Sequence, residues 1–278
     1  MVYVSAKVAN PYTIGEMVSA PVSPSEAPHS LISQGRYWAT TAQLETLTGE
    51  RGAVLRTSLA RLVRDGRLFS PARGLYVVVP SEYWTWKVLP AEWFIDAMMN
   101  HLGRDYYVSF LNAAALYGAS HQAPQTFRVV VNKPLKDRDI ARVRLRFTTS
   151  EHVKEMPTER RAVQTGYMVV ATPETTVVDL AWRPKLGGGI SNIATVLKGI
   201  GNLDAELLAR TASLRRRATV RRLGWLIERF RPDLDTHWLR VVARPEIGEP
   251  SLLVPGRRRG ELDRSWGLRI NSRVEPDV

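Results

Sequence analysis

Between Arg51 and Arg73 the chain places six arginines and one aspartate. A guanidinium is a planar fork of N–H donors, able to grip two phosphate oxygens at once or O6 and N7 of one guanine. At 3.6 residues per turn, Ala53, Thr57, Ala60, Arg61 and Arg64 share one arc of a helix over 52–65, with Val54 on its flank. Leu55, Leu59, Leu62 and Val63 fall on the opposite, core-facing arc. Small side chains near the N-terminus with arginines farther along suit a helix laid into a major groove. Arg51, Arg56, Thr57, Arg61, Arg64 and Arg73 are the expected DNA-binding residues. An ordinary solvated helix face has the same composition, so the sequence around the helix must separate the two.

Other residues with chemical potential are less well placed. Glu174 and Asp179, with Lys185 or Lys198, would be a nuclease pair. No E-x-K spacing follows a strand, however, and Glu174 suits the first turn of a helix. His29, His101, His121, His152 and His237 are scattered without metal-ligand spacing. Ser109 lacks a G-x-S-x-G setting, and Gly187 to Gly189 lack the order of a phosphate-binding loop. The absence of cysteine excludes disulfides, thiol catalysis and thiolate metal sites. No catalytic residue, metal or cofactor is therefore expected. Trp84 and Trp86, beside Tyr83, would stack on bases or cover a domain edge, and their place just after a compact block favours the edge. A second basic concentration gathers Arg215, Arg216, Arg217, Arg221 and Arg222, and a third Arg257 to Arg259. These would extend a DNA footprint, meet an acidic protein or an RNA, or simply solvate the surface.

The global balance agrees with a polyanionic partner. The 278 residues carry 39 Lys plus Arg against 27 Asp plus Glu, a formal charge of +12, and each cation set near a phosphate releases condensed counterions. Apolar content of 44% is ordinary for a globular protein. No run approaches the roughly 18 to 20 apolar residues of a membrane helix. The start, "MVYVSAKVANPYTIGEMV", lacks the basic and apolar regions of a signal peptide. A cytoplasmic protein is expected.

The elements that must position these residues fall into three parts. Residues 1–27, rich in Pro, Ser and Ala, read as a flexible lead-in. Residues 28–82 read as a helix ending near Gln34-Gly35, a short helix Ala42 to Leu47 capped by Thr40 or Thr41, the arginine helix 52–65, and a hairpin. That hairpin is closed by Pro71-Ala72-Arg73-Gly74, leaving Arg73 at an exposed tip. Helix, short helix, longer helix, hairpin is the order of a winged helix-turn-helix, in which the helix reads a groove and the ribbon reaches the backbone. The same module also serves in protein–protein contacts. Residues 83–278 mix both periods: helices near 90–102, "SFLNAAALYGAS", "PETTVVDLAW", "LDAELLARTASL" and "TVRRLGWLIERF", and strands "TFRVVVNKP", "RVRLRFTTS" and "GYMVVATP". Without a regular repeat, the class is α+β, with a larger mixed α/β C-terminal domain.

Three segments carry a family resemblance: "LARLVRDGRLFSPARGLYVV" (59–78), "TPETTVVDL" (172–180) and "RRLGWLIE" (221–228), joined by "SWGLRINSRVEPD" near the C-terminus. The chain resembles the AbiE-type antitoxin family, the AbiEi-like transcriptional regulators of type IV toxin–antitoxin systems. The second and third segments are similar to that family's S-P-x-R-T-x-x-D-L and R-L-G-x-L-x-E signatures, with Thr175 standing where the family pattern has arginine. The resemblance implies a non-catalytic two-domain regulator, its winged helix repressing its own operon at inverted repeats as a monomer in solution or a cooperative dimer on DNA. It implies a cognate nucleotidyltransferase-like toxin, countered without a stable complex, and a part in phage defence. The other readings of the residues are a nuclease targeted by a winged helix and a stand-alone transcription factor.

Overall fold

The computed structural model describes residues 20–120, 124–256 and 258–276; most of the lead-in, His121, Arg257 and the last two residues lie outside them. The N-terminal block is built from α1 (Ala27–Ser33), β1 (Trp38–Thr40), α2 (Thr41–Thr48), α3 (Gly52–Arg64), β2 (Leu68–Ala72) and β3 (Leu75–Val78). Thr40 caps α2 with a reciprocal pair: its side chain accepts from Gln43 N at 3.3 Å, and its own N–H reaches Gln43 Oε1 at 2.8 Å. Gly49 ends α2 in the left-handed region. The three strands form an antiparallel sheet in the order β1-β3-β2, with a register irregularity between Phe69 and Ala72. Ala72 pairs with Leu75, so the turn is only Arg73-Gly74, with Gly74 at φ +79°.

The fold is α+β, a winged helix followed by a larger mixed domain, and it departs from expectation in instructive ways. β1 was not anticipated, being three residues long. Residues 20–27 do not all belong to a flexible lead-in. Val22 N–H donates to Leu47 O at 3.1 Å, and Ala27 is buried. Val63 is exposed rather than core-facing, because Leu55, Leu59 and Leu62 already fill the buried stripe of α3.

The hairpin is not a free wing. Along β3 and just beyond, Leu75, Val77 and Val79 enter the core of the larger domain, while Val78 joins Leu55, Leu59 and Leu68 in the smaller one. Phe69 meets Phe94 edge to face at 5.1 Å. At the tip, Arg138 donates to Pro71 O, and the His101 ring nitrogen lies 2.9 Å from Arg73 O. The Arg73 side chain stays exposed, but its backbone is docked.

The larger domain follows a 3-10 turn at Ser81–Tyr83. The helix expected over 90–102 is a 3-10 turn, Ala91–Trp93, and then α4 (Ile95–His101); the backbone breaks at Phe94, φ −130°. Next come β4 (Tyr106–Val108), α5 (Phe110–Leu116), β5 (Phe127–Val131), β6 (Arg138–Ile140), β7 (Val143–Thr149), β8 (Thr158–Val163) and β9 (Gly166–Ala171). They make a six-stranded mixed sheet in the order β6-β7-β5-β4-β9-β8. The chain continues through α6 (Pro173–Trp182), α7 (Ile190–Gly199), α8 (Ala205–Ser213), α9 (Arg217–Phe230) and α10 (His237–Ala243). A small sheet of β10 (Ser251–Leu252), β11 (Glu261–Asp263) and β12 (Leu268–Ile270) closes it. Every residue of α6 from Glu174 to Ala181 is buried, which makes it the central helix. Among the described residues no helix is long and apolar enough to cross a membrane.

Two outcomes follow from this packing. Gly224 lies against Trp266 so closely that an added Cβ would overlap the indole; Gly224→Ala should cost about 1–3 kcal/mol or more through overpacking, read as a lower denaturant midpoint. A fragment ending at residue 82 uncovers Phe69, Leu75, Val77 and Val79. It should bind a hydrophobic dye and melt at lower temperature than the full chain, and a cooperative melt equal to that of the full chain would refute the shared wall.

Candidate nucleic-acid interface

The solvent face of α3 presents what the sequence arc promised. Arg51, Arg56, Thr57, Arg61 and Arg64 are all exposed, as are Ala53, Val54 and Ala60 between them. Arg61 and Arg64 share one carboxylate, Asp65, at 3.8 and 3.6 Å. With both arginines about three-quarters exposed, such pairs hold little energy and open readily to a phosphate. Thr57 spends its hydroxyl proton on Ala53 O at 3.0 Å, leaving its oxygen lone pairs outward. Trp84 donates its indole N–H to Val79 O at 2.9 Å and carries the Arg67 guanidinium on its ring at 4.7 Å. Trp86 carries Arg142 in the same way at 4.4 Å. Both rings cover the domain edge and are occupied by arginines.

The second basic concentration is not a surface patch. Arg216 and Arg217 are exposed, but Arg215, Arg221 and Arg222 lie inside the domain, which corrects their reading as partner-contacting residues. Arg215 donates to Asp179 Oδ1 at 2.6 Å, to Ser150 Oγ at 2.8 Å and to Tyr107 Oη at 3.2 Å, and its guanidinium covers the Trp182 ring at 3.9 Å. Asp179 has no exposed surface and also accepts from Ser109 Oγ at 2.7 Å and Tyr107 Oη at 3.0 Å. Burial pushes its carboxyl above the usual range, and Arg215, Ser109 and Tyr107 pull against that rise. Phe110, at φ +58°, turns the chain from β4 into α5 so that Ser109 faces Asp179, a backbone state costing an L-residue about 1–2 kcal/mol.

Arg221 meets no carboxylate. It donates to Arg244 O and Ile247 O at 2.7 Å, Glu249 O at 3.1 Å, Ala243 O at 3.2 Å and Gly267 O at 3.3 Å, gathering the carbonyls of an irregular tail. Arg222 donates to Leu252 O at 3.0 Å and to Leu253 O and Ala181 O, bracing α6 and the tail across α9. Burial pushes its guanidinium down to about 10, still protonated at neutral pH. Glu228, which ends the "RRLGWLIE" segment, accepts the Trp266 indole N–H at 2.7 Å and pairs with Arg240. Of the third concentration, Arg258 and Arg259 are exposed.

The carboxylates of the nuclease reading are consumed in internal bonds. Glu174 Oε1 accepts Asp204 N at 3.1 Å, and Asp179 is saturated as described. Thr175 is buried and donates to Pro157 O at 2.7 Å, so this position serves the start of α6 and not the surface. The four groups around Asp179 escaped sequence reasoning, because Tyr107, Ser109, Ser150 and Arg215 are spread over more than a hundred residues.

Residues 107–229, from β4 to near the end of α9, match the family model described as the AbiEi antitoxin C-terminal domain. A crystal structure of the RV2827C protein from Mycobacterium tuberculosis is similar with a TM-score of 0.63, over 88% of this chain and 89% of that one, at 14% sequence identity. That likeness concerns the fold. No curated protein matches the sequence.

The burial contrast within the arginine cluster can be read directly. Arg215→Ala leaves Asp179 buried without its cation and should cost about 3–5 kcal/mol, whereas Arg216→Ala, at an exposed site, should stay within about 0.5 kcal/mol. Denaturant unfolding of the two variants checks this; equal midpoints would show that the pair is not the buried anchor described.

Proposed function

We propose, from the match of residues 107–229 to the AbiEi antitoxin C-terminal domain, that the chain belongs to this family, is the antitoxin of a type IV toxin–antitoxin pair and represses its own operon, with α3 as the reading helix. The observation that carries this is the solvent face of α3: three exposed arginines and a threonine on a helix whose other face is spent in the core, with the exposed Arg51 at its N-cap and the exposed Arg73 at the hairpin turn. Arg61 and Arg64 are suited to base edges or phosphates, and Arg51, Arg56 and Arg73 to backbone. A single reading helix buries little surface, so two copies on an inverted repeat would supply the affinity, as a monomer in solution that pairs on DNA. The cognate toxin, by family resemblance nucleotidyltransferase-like, would be countered by the larger domain in the cytoplasm and without catalysis. The buried state of Asp179 and the bonded state of Glu174 give the nuclease alternative no support.

Mobility shifts on the duplex upstream of its own reading frame test the assignment. Arg61→Ala should lose about 1–3 kcal/mol and relax sequence preference, and Arg73→Ala should weaken all sequences alike and reduce the salt slope by about one. In cells expressing the cognate toxin, Arg61→Ala should still rescue growth while derepressing the promoter. Point variants serve here better than truncation, because cutting between the domains uncovers the shared wall. Unchanged operator binding by both variants would remove α3 from the interface.

A further inference from the structure

A cleft of about 800 Å³ opens where the α8–α9 linker, the end of α6 and the loop after β7 meet. Arg183, Arg215, Arg216 and Arg222 line it together with Trp182, against a single carboxylate, Glu151. These cations are in unequal states. Arg215 is committed to Asp179. Arg222 has only main-chain carbonyls as acceptors, so its charge is not neutralised. Arg183 and Arg216 are exposed, Arg183 lying over the Trp182 ring at 4.6 Å, and among the described residues no carboxylate pairs with either.

The floor adds donors. Arg216 is the N-cap of the 14-residue α9, with no side-chain cap and no acidic residue in the first turn. Ala218 and Thr219, on that turn, line the cleft. Thr219 N–H turns back to Arg216 O at 2.8 Å, but the helix start still carries the positive end of the dipole and lacks the anion that normally answers it. Independently, Arg215 Nε, on a side chain only 4% exposed, meets no acceptor in the cleft wall. Positive charge without a counterion, a helix start with no side-chain cap and an unanswered buried guanidinium N–H converge on one concavity of small-molecule size.

We infer that this cleft binds the phosphate group of a small phosphorylated ligand, with Arg183 and Arg216 closing on the anion at the N-terminus of α9. The half-buried Leu214 offers apolar surface to the rest of such a ligand, while the Trp182 ring is taken by Arg215 and Arg183 and holds them in place. The concave shape favours a small ligand over the convex backbone of a duplex. The site is separate from α3, so it stands or falls apart from operator recognition.

Calorimetric titration of the full-length protein with inorganic pyrophosphate and with ATP, at physiological ionic strength, tests it. Both should bind saturably and compete with each other. The double variant Arg183→Ala/Arg216→Ala should bind about tenfold more weakly or worse, having lost two charge-assisted contacts. Both side chains are exposed, so its unfolding midpoint should match that of the parent. Arg61→Ala should bind both probes normally. Absence of saturable binding, equal affinity in the double variant, or binding of duplex DNA at this face without binding of either small probe would each overturn the proposal.

Discussion

A carboxylate with no exposed surface sets the terms for the larger domain. Burying an ionised group is costly unless a cation and hydrogen-bond donors are brought to it, and Asp179 collects Arg215, Ser109 and Tyr107. Those partners arrive from β4, the turn into α5 and the linker before α9, so a single saturated group fixes how the helices sit on the six-stranded sheet. Arg215 in turn needs acceptors of its own, which brings Ser150 at the end of β7, and it lies flat on Trp182. The walls of the basic cleft are thus consequences of the ion pair. Such a pair repays little more than its own desolvation; what it imposes is register, because one arrangement of these segments satisfies the donors and shifted ones leave a buried charge alone.

The end of the chain follows the same logic with a different acceptor. The stretch after α10 has little regular structure, and its carbonyls would otherwise face an apolar interior unsatisfied. Arg221 supplies several donors from one side chain and replaces the missing ladder. Gly224 then allows Trp266 to lie flat on α9, and Glu228 receives its indole N–H. The spacing of the "RRLGWLIE" segment is explained by this docking: two arginines, a glycine and a glutamate on α9, all turned toward the tail.

Much of the fold could be read from the sequence where local physics decides it. Thr40 and Gly49 punctuate α2, the leucine stripe of α3 is the buried one, and "TFRVVVNKP" and "GYMVVATP" are strands. The failures come where tertiary context decides. On α9 the arginines read as a surface concentration, for a partner or for water, but the tail covers Arg221 and Arg222, and a sequence of cations cannot announce that carbonyls will surround them. β8, "TERRAV", is an edge strand whose first four residues are all polar, and it shows no apolar alternation. β4 is too short for a period. The docking of the hairpin has its signal in "LYVVV", since a continuous apolar run marks a strand buried on both faces.

That run has a consequence for how a bound partner is met. Successive residues of β3 and its extension alternate between two cores, so the hairpin belongs to both domains. Phe69 against Phe94, and the contacts of Arg138 and His101 with the hairpin backbone, leave no flexible joint between α3 and the sheet. The orientation of α3 is therefore a property of the larger domain. If two such helices engage neighbouring half-sites, their spacing is set by how the larger domains meet and not by the reach of a linker. For the same reason, any influence of the cleft on α3 must pass through a packed wall, which answers by small shifts between discrete packings rather than by swinging.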